Sequence, residues 1–345
     1  MTMDDLYFPA EWEFQRCIQL TWPHSGTDWA YCLGDITETF VQLSQAITRF
    51  ESLLVVTPDA DSTRATLASR LSTAALSRIT FLTCPTNDTW ARDHGALSLL
   101  PRTGSHESQR LLDFRFNGWG EKFPSDLDNA INRHLSQAGF FHAPLDNHDD
   151  FVLEGGSVES DGQGTVFTTS TCLLAPHRNE PLTRDDLEDE LKRRLHADRV
   201  VWLDHGLLIG DDTDGHIDTI VRCAPDDTLL YVKSLDPSDE QHTDFQALEQ
   251  QLRSLRTRHA QPYRLLPLPM PEAIYEDGER LPATYANFLV INDAVLVPTY
   301  GQPSNDVLAA QTIGEAFPGR EVVTVDARTI IRQHGSIHCL TMQYY

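Results

Sequence analysis

A chain of 345 residues, 40% of them hydrophobic, can bury a full core, either as two domains or as one large closed architecture. Its 51 acidic residues against 27 basic ones give a net charge of −24, which argues against nucleic acid or an anionic membrane as partner and suits a cationic small molecule. Six cysteines, Cys17, Cys32, Cys84, Cys172, Cys223 and Cys339, fall without a C-x-x-C pair, so neither a disulfide framework nor a zinc knuckle is expected. The first seventeen residues, Met1 to Cys17, carry no basic stretch followed by an apolar run, and no later segment is a long uncharged apolar stretch. A cytoplasmic location is the expectation.

Helical patterns alternate with short β segments along the chain. Thr37 to Phe50 and Asp61 to Ser77 read as helices, and Ser125 caps a segment whose Leu127, Ile131 and Leu135 share one face. Leu153 to Thr169 reads as a hairpin turning at Asp161-Gly162. Thr183 then opens a helix, with Asp186 three residues on as a short capping box. A second hairpin runs from Ile217 to Val232 around Pro225-Asp226-Asp227, and a charged helix from Glu240 to His259 follows it. A third hairpin spans Asn287 to Pro298, and Ser304 caps the last clear helix. Reactive residue types recur at one point of this pattern. Asp93 precedes a strand-like run, Glu154, His216 and Asn287 each open a hairpin, and Cys339 is placed in the final strand, at intervals of about 50 to 70 residues. One hairpin and one helix per unit is what a radial array produces, with corresponding strand ends converging on one pocket.

The motifs divide into weak and dense ones. Trp90, Arg92, Asp93 and His94 before Gly95 fit a hydrogen-bonded turn. Glu154 with Gly155 and Gly156 puts a carboxylate beside two glycines, which mark close backbone approach, and a buried carboxylate needs a partner. The densest cluster runs from Gly210 to Asp218. A calcium loop fails there, because its first and twelfth positions would be Gly210 and Val221. His216 and Asp218, two apart at a strand start, should share a face. Zinc at that pair lacks a third ligand at a fitting spacing, so no metal site is assigned. Cys339, alone, reads as core filler. Its partners elsewhere, with His216 as a candidate base and Asp93, Glu154 and Asp218 as carboxylates, are what a thiolate nucleophile requires.

Taken in order, these strings resemble a known family: Pro9-Ala10-Glu11-Trp12, Trp22-Pro23, Asn87-Asp88 with Trp90, Arg92 and Asp93, Phe116-Asn117-Gly118-Trp119-Gly120, Glu154-Gly155-Gly156, Leu173 with Pro176 and Arg178-Asn179, Asp211 with Thr213 to Asp218, Tyr285 with Asn287-Phe288, and Ile337-His338-Cys339 with Thr341. The set is similar to the bacterial agmatine deiminase and peptidyl-arginine deiminase family of guanidino-group-modifying enzymes, from about residue 8 to the end. The resemblance implies a single domain over residues 1–345 with the five-bladed α/β propeller, or pentein fold, of pseudo-fivefold symmetry. It implies Cys339 as nucleophile, His216 as general acid/base, Asp93 and Asp218 as clamps on the guanidinium, and Glu154 beside them. Trp90, Trp119 and Asp212 are expected to line the substrate pocket, without metal or organic cofactor.

That chemistry needs those residue types. A guanidinium is planar, stays charged, and offers forked N–H donors that two carboxylates hold bidentately. The expected reaction is hydrolytic deimination, agmatine to N-carbamoylputrescine and ammonia, through a covalent amidino-thioether on Cys339. Thr219, His94-Gly95-Ala96, His334 and the segment Met342 to Tyr345 depart from the agmatine-deiminase pattern, which keeps peptidyl-arginine or free arginine as the alternative substrate. A catalytically inactive propeller acting as a binding module is the alternative of another class, and self-association is left open.

Overall fold

The computed structural model describes residues 6–103 and 109–345. It is an α/β fold in which one unit is used five times. The strands Leu97–Pro101 and Arg110–Arg115 pair antiparallel, and Leu145–Val152 joins them in parallel. The same sequence of pairings recurs in Val158–Ser160, Thr165–Thr169 and Arg199–Leu203, in Val221–Ala224, Thr228–Lys233 and Arg264–Pro269, and in Leu289–Ile291, Ala294–Thr299 and Glu321–Asp326. The fifth sheet joins distant parts of the chain. Thr341–Tyr344 lies antiparallel on Cys17–Thr21, which is followed in parallel by Ser52–Thr57 and Ile79–Thr83.

Each parallel step needs a crossover. It is supplied by the helices Ile131–Gln137, Arg184–Leu195, His242–Ser254, Pro303–Ala316 and Leu33–Ile47, and, between Ser52–Thr57 and Ile79–Thr83, by the short helices Ala60–Ala68 and Thr73–Leu76. The crossovers bury one stripe each: Leu187, Leu191 and Leu195 in the second, Phe245, Leu248 and Leu252 in the third. Among the described residues no helix is long and apolar enough to cross a membrane.

The three hairpins form at the turns expected of them, and Thr183 makes its capping box with Asp186. Other boundaries move for local reasons. The helix expected over Asp61 to Ser77 is two, Ala60–Ala68 and Thr73–Leu76, because the Ser72 side chain accepts from Ala75 N and restarts the chain. The charged helix is shorter, His242–Ser254, and the first begins earlier, at Leu33. Gln302, not Ser304, precedes the last long helix, with Pro303 at its first position. Leu127 leaves the apolar face expected of it: it is 37% exposed and precedes a 3₁₀ turn, Asp128–Ala130, while Ile131 and Leu135 are buried.

Two corrections bear on chemistry. Cys339 is not in the final strand but in the turn before it, where Leu340 N donates to Ile337 O and Thr341 N to His338 O. His216 and Asp218 flank the start of a 3₁₀ turn, Ile217–Thr219, so strand alternation is not what brings them together. In every unit the reactive residue falls just before the first strand of the antiparallel pair: Asp93 before Leu97, Glu154 before Val158, His216 before Val221, Asn287 before Leu289, Cys339 before Thr341. A position outside the ladder leaves the side chain free of the sheet's own alternation.

Candidate active site

Asp93 sits on the one-turn helix Ala91–His94 and is 3% exposed. Both of its oxygens are held: Oδ2 accepts from Trp119 Nε1 at 2.9 Å and Oδ1 from Gly156 N at 3.0 Å. A buried carboxylate fixed by two donors keeps its plane. The donors come from tight backbone. Trp119 lies in the turn Gly118–Glu121, whose four residues all have positive φ, and a side chain at Gly118 would meet Phe123 O at 2.2 Å. The two glycines after Glu154 allow close approach, as expected: a Cβ at Gly155 would stand 2.2 Å from Arg92 O, and one at Gly156 would stand 2.6 Å from His216 Nδ1 and 2.9 Å from Asp93 Oδ1.

Asp218 is fully buried and takes a hydrogen bond on Oδ2 from His338 Nδ1 at 2.7 Å. His338 Nε2 lies 2.8 Å from Glu11 Oε2, so the ring bridges the two carboxylates. Arg222 then ties Glu11 to Glu159 and donates to the carbonyls of Ala286 and Phe288. Burial alone would raise Asp218, but the hydrogen bond and charge of His338, with His216, hold it below the usual carboxylate range. Asp93 is pushed up by burial and by Asp218, against the pull of His216. His216, 3.6 Å from Asp93 by its Nδ1, is held well above an ordinary imidazole because Asp93, Cys172 and Glu154 outweigh its burial.

Cys339 Sγ is 3.3 Å from Asn287 Oδ1 and 3.8 Å from Asp218 Oδ2. Asn287 Oδ1 also accepts the backbone N–H of His338 at 3.0 Å and of Cys339 at 3.3 Å, while Nδ2 donates to Asp218 O. Two backbone donors therefore fix which atom of Asn287 faces the sulfur, and that atom is an acceptor. The thiol is raised well above its ordinary value, first by burial, then by Asp218 and Asp93. Alkylation of Cys339 by iodoacetamide should accordingly be slow at neutral pH in the free protein and climb with pH beyond the range of an ordinary thiol, since only the thiolate reacts. A rate that levels off near pH 8 would contradict this environment.

Glu154 is fully buried, with Oε1 on Arg178 Nε at 3.0 Å and Oε2 without a partner. Arg178 continues to Asp214 at 2.7 Å and to Thr213 O at 2.8 Å. This is the partner the sequence required without identifying. A cavity of about 330 Å³ opens on this cluster. Cys339, Asp93, Trp90, Trp119 and Asp212 line it, and His216, Asp218 and Glu154 lie behind that wall. Trp90 packs on Gly335, where a Cβ would stand 2.1 Å from its ring. Burial and Asp211 push Asp212 up to about 6, opposed by His334 and Lys122. The His216–Asp218 pair weighed for zinc is not the group that could hold an ion. The donor atoms of Glu154, Cys172 and His216 do lie within 4.8 Å of one another.

The structure thus brings Cys339, His216, Asp93, Asp218 and Glu154 together and sets Trp90, Trp119 and Asp212 around them. Missed were the supporting roles of Asn287, His338, Arg178 and the Glu11–Arg222–Glu159 network. Replacing Arg222 with methionine leaves two buried carboxylates without their cation, and we expect a loss of about 3–5 kcal/mol, read as an earlier midpoint in urea. An unchanged midpoint would show the network to be dispensable.

Against known proteins, the model of the Porphyromonas-type peptidyl-arginine deiminase family matches residues 7–344. A crystal structure from Porphyromonas gingivalis, provisionally described as an arginine deiminase, is 49% identical over 98% of each chain with a TM-score of 0.91. The agmatine deiminase of C. jejuni with substrate bound is 34% identical, over 99% of this chain and 96% of that one, with a TM-score of 0.90. A Legionella pneumophila relative provisionally named agmatine deiminase is 34% identical over 98% of this chain and 94% of its own length.

Proposed function

The chain belongs to the Porphyromonas-type peptidyl-arginine deiminase family, and from that premise we propose that it hydrolyses the guanidinium of agmatine to N-carbamoylputrescine and ammonia, with Cys339 as nucleophile. The observation that carries this is the placement of a thiol beside two carboxylates, Asp93 and Asp218, each already fixed by donors of its own. Asp93 and Asp218 take the forked N–H groups of the substrate and hold its plane. The bound cation offsets the two negative charges that keep the thiol protonated, and Cys339 ionises when substrate arrives. The thiolate attacks the central carbon to give a tetrahedral adduct. His216 gives a proton to the departing nitrogen, ammonia leaves, and an amidino-thioether remains. His216 then takes a proton from water as it attacks, and collapse of the second adduct releases the ureido product and restores the thiol. Glu154, fixed by Arg178, supports the protonated imidazole.

The cavity favours agmatine among guanidines. Its walls carry Asp28, Asp88, Asp128 and Asp212 but no lysine or arginine among the described residues, so an amine at the far end is welcome and a carboxylate has no cation to meet. Burial and neighbouring acids raise Asp88 and Asp128 to about 7, which leaves room for a second cation to hold them ionised. The test is ammonia and ureido product from agmatine, free arginine and an arginyl peptide in parallel. Agmatine should be turned over fastest. Release from none of the three would end the deiminase reading, and faster release from arginine would overturn the substrate.

We read the five sheets as blades of one α/β propeller within a single domain. Five repeats of the same pairing order and the sheet that joins residues 17–21 to residues 341–344 support it. Two separate unfolding transitions, or a crystal structure in which the sheets share no common axis, would exclude it.

A further inference from the structure

We propose that Glu154, Cys172 and His216 form an inhibitory site for zinc or a similar thiophilic divalent cation, behind the wall of the substrate cavity. Their donor atoms lie within 4.8 Å of one another, and all three residues are buried. Two of the three have donor atoms uncommitted to any hydrogen bond: Glu154 Oε2 and the ring nitrogens of His216 are buried without a hydrogen-bond partner among the described residues. Cys172 is delivered by the short helix Ser170–Leu173, pinned where Thr169 caps it through Cys172 N. One thiolate, one imidazole and one carboxylate are the donor types that zinc combines in tetrahedral sites, and a small contraction brings the group to bonding range.

The charge balances as well. A divalent ion with one thiolate and one carboxylate is neutral, and the Arg178 guanidinium, 3.0 Å from Glu154 Oε1 and paired with Asp214, becomes an outer partner that orients the carboxylate. Binding displaces one proton from Cys172 and one from the His216 ring to solvent, so affinity rises with pH. The group is distinct from the second acid and histidine cluster, Glu11, Glu159 and His338, where Arg222 already fills the role of cation. Inhibition rests on the reading of His216 as the acid/base, because an imidazole bound to metal transfers no proton. Binding does not rest on it.

The full chain, stripped with a chelator, is titrated with cobalt(II) alone, which reports thiolate ligation by a near-ultraviolet charge-transfer band. The expected result is about one equivalent bound, with the band kept in Cys339→Ser and lost in both Cys172→Ser and Cys172→Ala. Zinc added to the cobalt form should bleach the band, and cobalt affinity in the Cys172 variants should fall by about tenfold or more. Circular dichroism checks each variant's fold, and two replacements at Cys172 guard against one that fails. A band that survives both Cys172 variants, or vanishes in Cys339→Ser, or never forms in the unaltered protein overturns the proposal. Zinc should also stop ammonia release from agmatine, reversibly by chelator, and a bound metal that leaves turnover intact overturns the inhibitory role. A protein without turnover of any guanidine fails the deiminase reading alone, while the cobalt titration still reads the site.

Discussion

Cys339→Ser should abolish deimination of agmatine, with turnover down by about 10⁴-fold or more, while agmatine still binds in a calorimetric titration. The reason for both halves lies in how the site is built. A serine hydroxyl is far harder to ionise than a thiol, and the position faces Asn287 Oδ1, which can only accept. Nothing there stabilises an alkoxide. Asp93 and Asp218, by contrast, are held by Trp119, Gly156 and His338, none of which touches the sulfur through its side chain in the contacts above. The clamp should therefore survive the loss of the nucleophile. A haloacetamidine, which carries the same planar cation, should label the unaltered protein and Cys172→Ser but not Cys339→Ser. Equal labelling of the two variants would remove Cys339 from its assigned role.

Gly156→Ala should cost about 10²-fold or more in kcat with the fold intact. The added methyl would stand 2.6 Å from His216 Nδ1, 2.9 Å from Asp93 Oδ1 and 3.1 Å from Asp218 Oδ2. It therefore enters the space where these three side chains of the candidate site face one another, and they must move apart. Each charge-assisted hydrogen bond lost in the process is worth roughly 1.5–3 kcal/mol. Gly155→Ala makes the contrast, because its methyl would strike Arg92 O, a backbone atom, at 2.2 Å. That variant should lose thermal stability first. Steady-state kinetics beside thermal melts separates the two, and a Gly156→Ala protein with unaltered kcat would mean the groups do not meet there.

The site was legible in the sequence where residue type and local neighbours carry the signal. Asp93 behind Trp90 and Arg92, Glu154 before two glycines, and His216 with Asp218 each stand out within a few residues, and their recurrence before successive strand pairs pointed to a repeated unit of one hairpin and one helix. What stayed hidden acts over distance. Glu11 and Arg222 pair from opposite parts of the chain, and an ion pair leaves no local pattern. His338 next to Cys339 has two carboxylate partners, yet by sequence it is one more histidine. Asn287 was placed at a unit start without a role, because only the fold shows that its oxygen gathers two backbone N–H groups and a thiol. Boundaries failed where side chains of the turn decide them. Ser72 splits one expected helix in two, and the 3₁₀ turn after His216 replaces the first residues of an expected strand, which begins at Val221.

The pairing of Thr341 with Leu20 has a consequence for biosynthesis. The strand Cys17–Thr21 leaves the ribosome among the first and receives its antiparallel neighbour only after nearly all the rest has been made. Until then one edge of that sheet is open to any other chain, and such edges invite association between nascent proteins. The step that closes this edge is also the one that carries Cys339 to Asp218 and Asn287. Under the proposed role of Cys339, reactivity toward guanidines therefore arrives together with completion of the fold.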